Sequence, residues 1–240
     1  LKNSNQSFCL PSVPSQNSIH LIRNALRDIC AEGIQGEIAL IDHEQPPAPA
    51  GHAEYSQCAG YAPQRQAEFI VARSCARSAL EALGYNNSNE AIEANQEGLP
   101  VWPIGFVASI SHSKGLCGAV AATSNQYKLL GFDIEKTNRL STNAAKRVMH
   151  PLETVNGPSK AVASILFSLK EAFYKAQYPE WGIAANFDDL ALQLDLKNGS
   201  ASVLYLAAKF PADLAEAHTK LNFRFVQVEN EVLSLCSLRA

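Results

Sequence analysis

Apolar residues at 19, 22, 25, 26 and 29 recur at intervals of three and four, which predicts a helix over 19–29. A stronger stripe of Ala67, Ile70, Val71, Cys75, Ala79 and Leu83 predicts a helix over 63–83, with Gly84 as its stop. Between them, 37–41 reads as a short strand and 43–61, rich in Pro, Ala and Gly, as a loop. The polar stretch 86–98 also reads as loop. Three apolar runs separated by turn residues predict strands over 104–110, 117–123 and 127–134. A helix over 140–149 ends before Pro151. The clearest helix covers 159–178, with Val162, Ile165, Leu166, Leu169, Ala172, Phe173 and Ala176 on one face and Pro179 as its close. Strands follow over 187–196, 200–207, 221–229 and 231–237, and residues 1–18 are expected to be loosely ordered. Helix then strands, twice over, predicts an α+β chain of two halves, 1–123 and 124–240.

Composition sharpens this without changing it. With 240 residues, 47% apolar and 18% charged, the chain has the make-up of a packed protein rather than a disordered or fibrous one. The net charge is −3; residues 1–123 hold 7 basic against 11 acidic side chains and the remainder 13 against 12. Neither half offers the basic surface that nucleic-acid binding requires, so no nucleic-acid partner is expected. No apolar run is long enough to span a bilayer, and the polar, proline-containing N-terminal segment lacks the apolar stretch of a leader. The six cysteines form no CxxC pair and no zinc spacing with histidine, as expected of thiols in a reducing cytoplasm. Three Asn-x-Ser triplets, at Asn5, Asn86 and Asn198, are read as chance.

Four groups of residues carry possible chemistry. Asp133 and Glu135 follow an apolar strand at i and i+2 and so point the same way. Two adjacent carboxylates repel, and a hard cation such as Mg²⁺ relieves that repulsion; a solvated strand end is the plainer alternative. Glu171 and Lys175, one turn apart on the long helix, offer a third carboxylate and an ammonium, or simply a surface ion pair. The run Ser111-His112-Ser113-Lys114-Gly115 gathers hydroxyls, an imidazole and an amine at a Gly-containing turn that suits phosphate, or makes a polar hairpin. Arg65, Arg73 and Arg77 lie on one helix, where they would meet phosphate or make a solvated face with Glu68 and Glu81.

Taken in order, these segments resemble the 4′-phosphopantetheinyl transferase superfamily, specifically its longer pseudo-dimeric branch. The likeness rests on PVWPIGFVASISHS at 100–113, LGFDIEK at 130–136, FSLKEAFYKA at 167–176 and the helix RQAEFIVARSCARSAL at 65–80. It implies two similar α/β halves in one chain, each a small antiparallel sheet packed on a long helix. Coenzyme A and Mg²⁺ would lie in the cleft between the halves. The implied reaction moves the phosphopantetheine arm of coenzyme A to a serine of an apo acyl or peptidyl carrier protein. By the same resemblance Asp133, Glu135 and Glu171 form the metal set, Glu171 acts as base, and Lys175 stabilises the pyrophosphate. His112 and Ser111 would grip the nucleotide phosphates, Arg65, Arg73 and Arg77 the 3′-phosphate, and Pro100 would lie near adenine. An acidic carrier would dock on a rim formed by Lys136, Lys146, Arg147, Val148 and Met149, and the paired halves favour a monomer. Ala72, Ala108 and Phe132 depart from the family's usual smaller residues, and Glu97-Gly98-Leu99 lacks the basic residue often found before Pro100, which weakens one nucleotide contact; none of these removes a metal ligand or Lys175. Two other classes use the same residues: a Mg²⁺-dependent phosphoester hydrolase, and a carrier-binding module without catalysis.

Overall fold

The computed structural model describes residues 15–87, 89–153 and 160–240. The first fourteen residues, and with them most of the segment expected to be loosely ordered, lie outside that set, as do Ser88 and the predicted helix start at 159.

The first helix, α1 (Gln16–Ile29), begins three residues before the predicted start, because the Ser15 hydroxyl accepts the Ser18 N–H at 3.2 Å and caps it. The β1 strand (Ile34–Leu40) is longer than its own pattern suggests because it pairs along its length with β3 (Leu116–Thr123). The region read as a loop contains a helix, α2 (Gly51–Cys58). Its anchor is the fully buried Glu54, which accepts N–H groups of Ala50 and Ile92 and pairs with Arg77. That anchor is tertiary, so no apolar periodicity announces the helix. The long α3 (Pro63–Glu81) opens on proline, whose missing N–H costs nothing in a first helical turn.

The β2 strand (Phe106–Ser113) runs three residues beyond its predicted end, so Ser111 and His112 sit on a strand rather than in a turn. Ser113 pairs with Leu116, leaving only Lys114 and Gly115 to turn the hairpin, and Gly115 takes φ +84° to do so. Sheet one has the antiparallel order β1–β3–β2. Its central strand is covered on both faces. Leu116, Val120 and Ala122 pack towards α1, and Cys117, Ala119 and Ala121 towards α3.

The second half follows with β4 (Tyr127–Lys136), α4 (Thr142–Val148) and α5 (Lys160–Trp181). Then come β5 (Leu190–Asp195), β6 (Ser200–Leu206), α6 (Ala212–Ala217), β7 (Asn222–Val228) and β8 (Glu231–Arg239). The antiparallel order of this sheet is β4–β8–β7–β6–β5. Residues 187–189, expected as strand, form a short 3₁₀ turn that the Asn186 and Asp189 side chains cap reciprocally. The α5 helix runs past Pro179, its predicted close, at the loss of one backbone hydrogen bond, and stops before Gly182 with φ +64°. Every apolar position assigned to the face of α5 is buried.

Two sheets, each packed on helices, thus make up the pseudo-dimeric α/β architecture. One apolar cluster spans both: Ile22 and Leu26 of α1, Val120 of β3, Phe132 and Ile134 of β4, and Leu233 of β8. The sheets meet where β2 runs beside β4. The Ser109 and Ser111 hydroxyls accept the N–H groups of Phe132 and Ile134 at 3.0 and 3.1 Å, in place of a backbone ladder. No helix among the described residues is long and apolar enough to cross a membrane.

Alternation along β4 decides the next layer. Phe132 and Ile134 face the shared cluster, while Gly131 lies against α5. A methyl group at 131 would collide with the backbone carbonyl of Ala172. Gly131→Ala is therefore expected to push α5 away and cost about 1–3 kcal/mol or more, read as a lowered urea midpoint. An unchanged midpoint would show that the close approach is unimportant.

Candidate functional site

The close contact at Gly131 brings α5 over the end of β4 that carries Asp133 and Glu135. Asp133 is 6% exposed and fully engaged. One of its oxygens accepts Lys175 Nζ at 2.7 Å and the Ser111 hydroxyl at 2.9 Å; the other accepts the Ser168 hydroxyl at 2.9 Å. Lys175 also donates to Ser111 Oγ at 2.9 Å. Residues from β2, β4 and α5 thus form one polar knot across the seam between the sheets.

Glu135 is almost fully buried and accepts its neighbour's backbone N–H at 2.7 Å and Arg139 at 2.6 Å. Its carboxyl is raised above the ordinary range chiefly by burial. Lys136 turns the other way, to the buried Glu231, and so leaves the rim where it was expected. Glu171 is half-buried, and no described residue donates a hydrogen bond to it. Burial raises its pKa most, then the negative charge of Asp133; Lys175 pulls it down, Glu135 adds to the rise and Arg139 opposes it. The three carboxylates therefore sense one another, yet among the described residues no group of three acidic, His or Cys side chains closes around a point that could hold a metal. Mg²⁺ does not need such a cage, since it keeps waters and takes substrate phosphates. The donor set fits that ion: hard oxygens on buried groups whose mutual repulsion a cation would lower.

Arg65 and His112, 47 residues apart, meet at 2.8 Å between Nη1 and Nε2, with Glu68 beside both. The other two arginines are occupied within the N-terminal half. Arg73 is 3% exposed, donates to the Ile92 carbonyl at 2.7 Å and lies 3.3 Å over the Phe69 ring. Burial lowers its pKa to about 10. Arg77 pairs with buried Glu54. Pro100 and Lys175 line one small cavity of about 100 Å³, with Trp102, Tyr174 and Tyr178. A larger cleft of about 530 Å³ opens beside Glu171 and is walled by Lys170, Tyr174 and residues 184–188. Of the expected docking rim, Lys146 and Arg147 are exposed, Met149 is half-buried, and Val148 belongs to the core.

Ser168 lies three residues before Glu171 and seven before Lys175, and helical spacing places it near them. Arg139, Lys170 and Glu153 escape a sequence reading. Arg139 stands four residues after Glu135, a spacing that says nothing once the strand has ended. The pair Lys170–Glu153 has no local signal at all. Both side chains are buried, and Lys170 bonds Glu153 at 2.9 Å, the Val148 carbonyl at 2.7 Å and the Phe187 carbonyl at 2.9 Å. Glu153 in turn accepts the N–H groups of His150 and Leu192 at 2.7 and 2.9 Å. Four segments are thereby fixed around the residue next to Glu171.

Two family models match the chain. Residues 53–122 match the 4′-phosphopantetheinyl transferase N-terminal domain, and residues 129–236 match the 4′-phosphopantetheinyl transferase superfamily. The chain is 32% identical over 154 residues to 4′-phosphopantetheinyl transferase Svp of Streptomyces mobaraensis, covering 61% of this chain and 62% of the relative. It is 32% identical over 142 residues to 4′-phosphopantetheinyl transferase Npt of Nocardia iowensis, covering 58% and 63%. It is 36% identical over 121 residues to 4′-phosphopantetheinyl transferase PptT of Mycobacterium tuberculosis, covering 48% and 52%. The chain thus spans less than two thirds of the length of each of these relatives.

Proposed function

Because the chain belongs to the 4′-phosphopantetheinyl transferase superfamily, we propose that it transfers the 4′-phosphopantetheine arm of coenzyme A to a serine of an apo acyl or peptidyl carrier protein. The observation that carries this reading is the knot of Asp133, Ser111, Ser168 and Lys175 beside the unengaged Glu171. A carboxylate to which no described residue donates is available to take a proton, and an ammonium one turn away is available to meet a departing phosphate.

In this reading Glu171 accepts the proton of the carrier serine hydroxyl. The serine oxygen attacks the phosphorus that bears the pantetheine arm. The bond from that phosphorus to the bridging oxygen breaks, and its electron pair leaves with adenosine 3′,5′-bisphosphate. Lys175 faces the developing charge, a preorganised cation where charge appears. Asp133, Glu135 and Glu171 would hold Mg²⁺, which supplies further charge stabilisation on the pyrophosphate when bound. Ser111 and Ser168 keep Asp133 oriented. His112 and Arg65 meet the nucleotide phosphates, and Arg73 and Arg77 support the helix that carries Arg65. Pro100 shares a cavity with Lys175, which suits a base stacked near the pyrophosphate. Exposed Lys146 and Arg147 offer positive charge to an acidic carrier. The protein acts as a monomer in this reading, since both halves are on one chain. Five free thiols among the described residues accord with work in a reducing cytoplasm.

Arg65→Ala is expected to weaken coenzyme A about tenfold, the scale of one charge-assisted bond, with an unchanged urea midpoint. Arg73→Ala is expected to lower the midpoint instead, because it strips the donor from the buried Ile92 carbonyl. The reverse pattern would move the phosphate contact to Arg73. The reaction class is tested by release of adenosine 3′,5′-bisphosphate from coenzyme A with Mg²⁺. Release that requires apo carrier supports transfer; equal release without carrier makes the protein a hydrolase.

A further inference from the structure

Glu68 touches both groups assigned to the nucleotide phosphates. Its carboxylate lies 3.1 Å from Arg65 Nη1 and 3.8 Å from His112 Nδ1, and Arg65 Nη1 lies 2.8 Å from His112 Nε2. A guanidinium donates and never accepts. His112 Nε2 is therefore the acceptor, and the neutral ring carries its proton on Nδ1, on the side of Glu68. Burial, the largest influence, pushes the His112 pKa down; Glu68 raises it and Arg65 lowers it. The remaining neighbours change this balance little. From α5, Lys175 adds positive charge, and from β4, Asp133 adds negative charge, but the two are bonded to each other. From β3, Cys117 stands opposite in register, and burial raises its thiol pKa, which keeps it neutral.

A phosphate oxygen carries only lone pairs, so it can stand at Nε2 only when Nε2 bears a proton. Shifting the single proton across the ring would turn an Nδ1 lone pair towards the Glu68 carboxylate, 3.8 Å away. Adding a second proton satisfies both sides. We propose that Glu68 is a positioning residue that holds the Nδ1 proton of His112, so that a phosphate of coenzyme A arriving at Nε2 meets an imidazolium and binding takes up a proton from the solvent. The inference rests on the nucleotide-binding reading above. It adds a carboxylate that touches no substrate and sets the charge of the group that does.

The test is titration calorimetry of the full chain with coenzyme A at pH about 8, in buffers of different ionisation enthalpy. A phosphate monoester, with its second pKa near 6, is fully ionised there, so any uptake belongs to the protein. The wild type is expected to take up about one proton per coenzyme A bound. Glu68→Gln is expected to bind with less than about half that uptake, and Glu68→Asp to restore much of it. His112→Gln is expected to bind without uptake, which serves equally should Glu68→Gln fold poorly. Binding by the wild type without uptake, equal uptake in Glu68→Gln, or uptake persisting in His112→Gln would each overturn the role of Glu68. Absence of any coenzyme A binding by the wild type would overturn the nucleotide reading itself, and with it this inference.

Discussion

Glu171→Gln is expected to reduce transfer to an apo carrier by about a hundredfold to ten-thousandfold, the range set by loss of a positioned base. Coenzyme A affinity measured without Mg²⁺ should change little. The substitution keeps the volume and hydrogen-bonding reach of the side chain while removing its capacity to take a proton. The environment favours this carboxylate over its neighbours as the proposed base. Asp133 has three donors and Glu135 two, which lowers the basicity of their oxygens, whereas no described residue donates to Glu171. Burial and the charge of Asp133 raise the basicity of Glu171, and Lys175 limits the rise. Single-turnover transfer with saturating coenzyme A separates the step from binding. Turnover close to wild type in Glu171→Gln would remove the base from this position.

Lys170→Met carries the largest expected effect on stability. Lys170 and Glu153 are each about 5% exposed, and the ammonium joins the carboxylate to the Val148 and Phe187 carbonyls. Removing the ammonium leaves a buried carboxylate uncompensated, at a cost of about 3–5 kcal/mol. Adding Glu153→Gln removes that charge while keeping an oxygen for the Leu192 N–H. The double variant should therefore recover a large part of the loss, a non-additivity expected of residues in direct contact. Urea unfolding of the four proteins measures it. Additive losses would show that the two residues stabilise the fold separately. Lys170 precedes Glu171 and lines the larger cleft, so the pair anchors one wall of that cleft.

The parts of this fold that could be read from the sequence are those governed by short-range period. The buried faces of α3 and α5 follow from spacings of three and four, and β2, β3 and β4 from apolar runs bounded by turn residues. The same periodicity placed Asp133 with Glu135 and Glu171 with Lys175. What escaped depends on contacts between distant segments. Helix α2 exists because Glu54 reaches Ile92 and Arg77, and a Pro- and Ala-rich stretch shows none of that. The strand character of Ser111 and His112 comes from a hairpin only two residues wide. The arginine row on α3 illustrates the limit of spacing most clearly. Arg73 and Arg77 share a helix with Arg65, yet burial and their partners at Ile92 and Glu54 separate their roles from its contact with His112.

The central claim is the transfer itself. Its most direct test is the intact mass of an apo carrier protein after incubation with this protein, coenzyme A and Mg²⁺. The account predicts a gain of one phosphopantetheine, absent when EDTA removes the metal and absent when the carrier serine is replaced by alanine. An unchanged mass across acyl and peptidyl carriers, with coenzyme A bound and Mg²⁺ present, would contradict it.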